Sequence, residues 1–143
     1  MNLVDANVLL YAANEDDPRH EASREWLDRE LSGGGPVGFT WLVVLAFLRL
    51  ATKPGLFPDP WPVDDAVALV RMWLDHPGSV VLDPTPRHLD VVAGLLVAVG
   101  TGGNLTTDAH LAAIALEHHA TVVTYDSDFG RFAGVRWTTP EQA

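Results

Sequence analysis

Five short segments of this chain constrain its fold more than anything else in it. Asn2 to Asp5, "VGF" at 37–39, "SVVLD" at 79–83, "ATVVTY" at 120–125 and "VRW" at 135–137 are apolar without a regular polar alternation. Stretches with helical spacing separate them. A strand that is apolar on both sides must be covered on both faces, which is the environment of a parallel sheet flanked by helices. The sequence therefore predicts the α/β class: a three-layer α/β/α arrangement around a central, mainly parallel sheet of four or five strands. The 143 residues are read as one domain over 1–143, long enough to bury roughly 70% of the unfolded surface.

The helices follow from period and punctuation. Apolar residues predict helices over Ala6–Ala13, over His20–Leu31 (Ala22, Trp26, Leu27 and Leu31 on one face) and over Trp41–Ala51. Thr40 is the expected cap of the third, and "KPG" ends it. Further helices are expected from Asp64 or Asp65 to Asp75, from Arg87 to Gly100, and from Asp108 to His119 with Thr106 or Thr107 as cap. "SGGGP" and "TGGN" read as loops, because neither has the spacing of a phosphate loop or a dinucleotide fingerprint. "FPDPWP" reads as a proline-stiffened connector around Trp61.

Several chemistries are excluded early. With no cysteine, disulfides, thiolate metal sites and cysteine nucleophiles are out. No GxSxG elbow is present for a serine nucleophile. His110, His118 and His119 lack HExxH spacing and read as solvated or boundary histidines. The N-terminus lacks a basic region and cleavage site, and no apolar run reaches membrane-spanning length, so a cytoplasmic protein is expected. The net charge of −10 argues against a polyanionic partner unless a divalent metal supplies positive charge.

The acids give that condition some force. Asp5 ends the first strand, Asp126 ends "TVVTY", Asp128 lies two residues on, and Asp108 sits in the first turn of its helix. In a parallel α/β sheet these positions share the edge where ligands bind. Each acid alone reads as a helix cap worth roughly 1 kcal/mol. Together they cost more, since two carboxylates about 5 Å apart repel by roughly 3 kcal/mol at an effective dielectric near 20. Either the side chains diverge or a cation holds them, and an all-oxygen donor set favours Mg²⁺ or Mn²⁺ over zinc.

At this point the chain resembles the PIN domain, and within it the VapC-type toxin ribonucleases of bacterial toxin–antitoxin pairs. "LVDANVLLYA" is similar to the family's opening strand, with its first acid Asp5 and the polar Asn7. "GNLTTDAHLAAIALEHHATVVTYDSDFGRF" is similar to its C-terminal signature and aligns Asp108 and Asp126 with two further acids. "LRLATKPGLF" and "GVRW" resemble two other segments. The resemblance implies a metal-dependent endoribonuclease whose Asp5, Asp108 and Asp126 hold Mg²⁺ (Mn²⁺ substituting), with Asp128 as a further ligand. It implies RNA as substrate, a cognate antitoxin as partner and a homodimer. Asn7, Arg49 and Arg131 are the expected substrate contacts. The family's pattern also puts a glutamate three residues before Arg49, where this chain has Ala46. That departure leaves a second reading, a catalytically weak fold acting as an RNA- or antitoxin-binding module.

Overall fold

A computed structural model describes residues 1–143. The chain runs β1 (Asn2–Val4), α1 (Ala6–Ala13), α2 (His20–Arg29), β2 (Val37–Phe39), α3 (Trp41–Ala51), α4 (Val63–Asp75), β3 (Ser79–Val81), α5 (His88–Val99), α6 (Thr106–Glu117), β4 (Thr121–Val123) and β5 (Trp137–Thr138). The five strands form one sheet in the order β3-β2-β1-β4-β5, and every neighbouring pair is parallel. The crossovers from β1 out to β3 run through α1–α4, which pack on one another, and the return from β3 to β4 runs through the packed pair α5 and α6.

The strand order reverses beside β1, where β2 lies on one side and β4 on the other. This is the topological switch point, and the crevice outside the carboxyl ends of β1 and β4 is where such sheets take ligands. Leu3, Val4, Val122 and Val123 are fully buried in those two strands, which explains their lack of alternation. They belong to a single continuous core of 32 buried apolar residues. Trp26, Phe39, Phe47 and Phe129 are its largest fully enclosed side chains.

Some local expectations needed correction. The second helix ends at Arg29, two residues early, and a wide turn continues over Glu30–Gly34 until Gly33 breaks it with φ 120°. Part of "SGGGP" thus extends that helical end. The last helix begins at Thr106 without a side-chain cap, because the 3-10 turn Gly103–Leu105 winds directly into it. Neither Thr106 nor Thr107 caps it. The fourth helix starts at Val63, after Pro62, and holds Asp64 and Asp65 in its first turn. The final strand is shifted to Trp137–Thr138. Thr40 caps α3 as expected, its hydroxyl accepting from the Val43 N–H at 3.2 Å. No helix is long and apolar enough to cross a membrane.

Candidate metal centre

The ends of β1 and β4 are stitched together through side chains. The Asp5 Oδ1 accepts from the Ala6 N–H at 2.7 Å, capping α1. Its Oδ2 accepts from the Thr124 hydroxyl at 2.7 Å and from the Asn7 amide at 3.2 Å. Thr124, fully buried, accepts in turn from the Asn7 amide and the Asp126 N–H, each at 3.0 Å. The Asn7 oxygen accepts from the Tyr125 N–H at 3.2 Å. Both Asn7 amide hydrogens are therefore spent on Asp5 and Thr124. These bonds place Asn7 at the base of the site, between Asp5, Thr124 and Tyr125.

Asp126 continues the chain of contacts. Its Oδ1 accepts from the Asp128 N–H at 2.9 Å and so caps the short 3-10 turn Ser127–Arg131. That turn swings Asp128 back over the sheet edge, toward the first turn of α6. As a result, one carboxylate oxygen from each of Asp108, Asp126 and Asp128 lies within 4.8 Å of the others. Asp5 stands beside this trio with both oxygens already engaged. Of the four expected acids, Asp108, Asp126 and Asp128 form the trio, and Asp5 lines a recess together with Asp108.

The electrostatics of the two kinds of acid differ. Burial pushes the Asp5 carboxyl above its ordinary value, opposed by the hydrogen bonds from Thr124 and Ala6 and aided by the Asp126 charge. Asp108 receives no hydrogen bond. Partial burial, then the like charges of Asp126, Asp5 and Asp128, push it up to about 6. No lysine or arginine pairs with any of the trio, since the ion pairs of the protein lie elsewhere. Converging carboxylates with no basic partner, and with Asp126 alone accepting a hydrogen bond, are the donor set that a hard divalent cation satisfies. The residues fit a divalent metal.

Arg49 and Arg131 have no acidic partner either, so neither is tied up in a surface salt bridge. Arg49 lines a small recess together with Asp5, Asp108 and Ala46. Arg131 is exposed at the end of the 3-10 turn. The same recess shows that no carboxylate reaches the site from position 46.

The histidines contribute no oxygen-rich ligand group, but one of them is not an ordinary boundary residue. His110 Nδ1 is 2.7 Å from His88 Nε2, and His88 Nδ1 is 2.6 Å from Glu117 Oε2. Glu117 also accepts from the Thr85 N–H at 2.9 Å and from the Thr85 hydroxyl. This chain locks α5 to α6. The i, i+7 spacing of His110 and Glu117 was its only sequence signal, and His88, on another helix, could be joined to them only in three dimensions.

Comparison with known proteins agrees with this fold. The PIN domain family matches residues 3–135. The chain is 57% identical over 140 residues to "Ribonuclease VapC37" of Mycobacterium tuberculosis, covering 98% of this chain and 97% of that protein. It is 44% identical over 140 residues to "Ribonuclease VapC31" of the same species, covering 98% and 99%. Among solved structures, VapBC2 from Rickettsia felis bound to a promoter DNA fragment superposes with a TM-score of 0.73 at 15% identity, covering 96% of this chain and 97% of that one. M. tuberculosis VapC20, described as a Sarcin-Ricin loop cleaving toxin, gives 0.69 at 19%, covering 95% and 99%. With the fold, the acidic edge and the full-length similarity in agreement, this chain belongs to the PIN domain family.

Proposed function

We propose that the protein is a Mg²⁺-dependent endoribonuclease, the toxin of a toxin–antitoxin pair, acting in the cytoplasm. The observation that carries this reading is the trio Asp108, Asp126 and Asp128, whose oxygens converge within 4.8 Å with no cationic side chain among them. Its place at the switch point of a parallel sheet supports the same reading. So do relatives that are named ribonucleases.

In this reading Asp108, Asp126 and Asp128 hold the metal, with Mn²⁺ able to substitute. A bound divalent ion there supplies an activated water and offsets charge that develops on the phosphate. Asp5, fixed by Ala6, Asn7 and Thr124, adds negative charge behind the trio and keeps β1 and β4 at a set separation. Arg49 and Arg131, free of ion pairs, contact the RNA backbone. Together with the metal they offset the repulsion that a protein of charge −10 exerts on a polyanion.

The antitoxin inhibits by covering this edge with a basic residue among the acids, because desolvating unpaired carboxylates is costly. Self-association belongs to the same reading. The outer face of α5 leaves Leu89 and Val97 79% and 80% exposed, an unusual exposure for two large apolar residues on one helix.

The test is incubation of the purified protein with total RNA in Mg²⁺, in Mn²⁺ and in EDTA. Defined fragments in either metal and none in EDTA are expected. Binding of RNA without cleavage in both metals would instead favour the binding-module reading.

A further inference from the structure

One aromatic side chain stands at the ligand edge of the sheet without a task in the core. Of the chain's aromatic residues, Trp41 alone is mostly exposed, at 53%. It is the first residue of α3, which reaches the core through Val43, Val44, Phe47 and Ala51 instead. A large ring left in water gives up the burial that aromatic residues otherwise contribute to a fold.

The pairing register fixes where this residue is carried. Asn2 faces Val37 and Leu3 faces Gly38, so continuing the register sets Asp5 level with Thr40, one residue before Trp41. β4 lies on the far side of β1. At about 4.8 Å per strand, the Trp41 backbone is roughly 10 Å across the edge from the end of β4 that leads to Asp126.

Trp41 also lines a groove of about 240 Å³ between α3 and α4. Val44, Leu48, Val70 and Leu74 form much of its wall, and Arg71 and Asp75 are the only polar members. Neither takes part in an ion pair. None of the acids of the metal centre lines this groove, which is separate from the recess between α3 and α6. Its apolar wall and Asp75 disfavour a phosphate inside it. A base suits both, since its faces stack on apolar and aromatic surfaces and its amino groups donate to a carboxylate. Arg71 offers donors to a base edge or a phosphate. Leu45, one turn beyond Trp41, is 60% exposed and extends the apolar strip, so a protein surface is the rival occupant. The position of Trp41, on the edge where RNA must lie to reach the acidic trio, decides for RNA.

We propose that Trp41 is a stacking platform for an unpaired base flanking the bond to be cut, with the α3–α4 groove receiving that base. The inference rests on the ribonuclease reading above and adds a residue that binds the substrate.

The experiment measures binding of a short fluorescent single-stranded RNA, and of an abasic oligomer of the same length, in EDTA, where cleavage cannot occur. Wild type, Trp41→Ala and Trp41→Phe are compared, each first shown to melt like wild type. Trp41→Ala should weaken RNA binding by about tenfold, and Trp41→Phe by no more than about threefold. Binding of the abasic oligomer should change by less than about twofold in either variant, because it offers nothing to stack. The slope of log affinity against log salt should stay that of the wild type in Trp41→Ala, since no phosphate contact is lost.

Unchanged RNA affinity in Trp41→Ala overturns the proposal, and so does an equal loss for RNA and abasic oligomer, which would mark a structural role. Conversion of a wild-type dimer to a monomer by Trp41→Ala in sedimentation, with RNA affinity unchanged, would assign the residue to a protein interface and also overturn it. RNA cleavage by wild type in Mg²⁺ leaves the ribonuclease reading standing in each of these cases. Neither binding nor cleavage of RNA by wild type overturns both. If Trp41→Ala does not fold, Trp41→Leu, which keeps apolar bulk without an aromatic face, is measured under the same criteria.

Discussion

The two ends of α6 carry acids in opposite circumstances. At its C-terminal end, Glu117 is only 4% exposed yet fully partnered. Burial works against its charge, but hydrogen bonds from Thr85 and His88 outweigh it and hold the carboxyl below its ordinary value. At the N-terminal end, Asp108 has no donor at all, and burial together with three neighbouring carboxylates pushes it up to about 6. Both ends lie on one helix in one fold. What separates them is whether the protein itself supplies the compensating groups. Where it does, the acid is structural; where it does not, the acid is placed for a ligand from outside.

The largest effect should come from breaking the uncompensated end. Asp126→Ala removes a carboxylate from the trio and the cap of the turn that presents Asp128. Changing an outer-shell partner of a metal ligand costs 10–100-fold, so loss of a ligand should lower RNA cleavage by at least about a hundredfold. A gel assay of RNA fragments over time measures it. The circular dichroism spectrum should stay that of the wild type, because Phe129 still anchors the turn in the core.

Glu117→Ala should do the reverse. It strands the Thr85 N–H and His88 at a buried junction, and about 1–3 kcal/mol of stability should go with them. Urea unfolding checks this. Cleavage per folded molecule should fall much less than in Asp126→Ala, because none of these groups belongs to the trio.

A smaller effect sharpens the comparison through pH. The folded-state value of Asp108 is raised from 3.8 to about 6. Between those values the folded chain binds more protons than the unfolded one, so this group makes metal-free stability fall as pH rises through that window. Above about 6 the loss is complete. Asp108→Asn should flatten this slope and raise the metal-free melting temperature at neutral pH. Melting curves taken across the window in EDTA decide it.

Much of this was legible in the sequence for a clear reason. The strands are buried on both faces, so their apolar runs could not hide, and acids at strand ends mark the ligand edge of any parallel sheet. Asp108 and Asp126 followed directly. The direction of Asp128 did not, because it depends on the 3-10 turn that Asp126 caps. The bonds of Asn7 to Thr124 and Tyr125 were not legible, since nothing in the chain reveals that these residues lie opposite it. His88 and Glu117 were invisible for the same reason: their partnership is a meeting of two helices 29 residues apart in the chain. The absence of a cap at Thr106 came from a preceding turn that continues into the helix, which propensity alone does not disclose.

The central claim is that the N-terminal end of α6 is completed by a divalent metal. Titration of Mn²⁺ into the metal-free protein, with free ion followed by its paramagnetic resonance signal, addresses it without reference to RNA. The account predicts saturable Mn²⁺ binding by the wild type, displaced by Mg²⁺, and its loss in Asp108→Asn and Asp126→Asn but not in Glu117→Gln. Equal binding by the wild type and both aspartate variants, or no binding by the wild type, would contradict it.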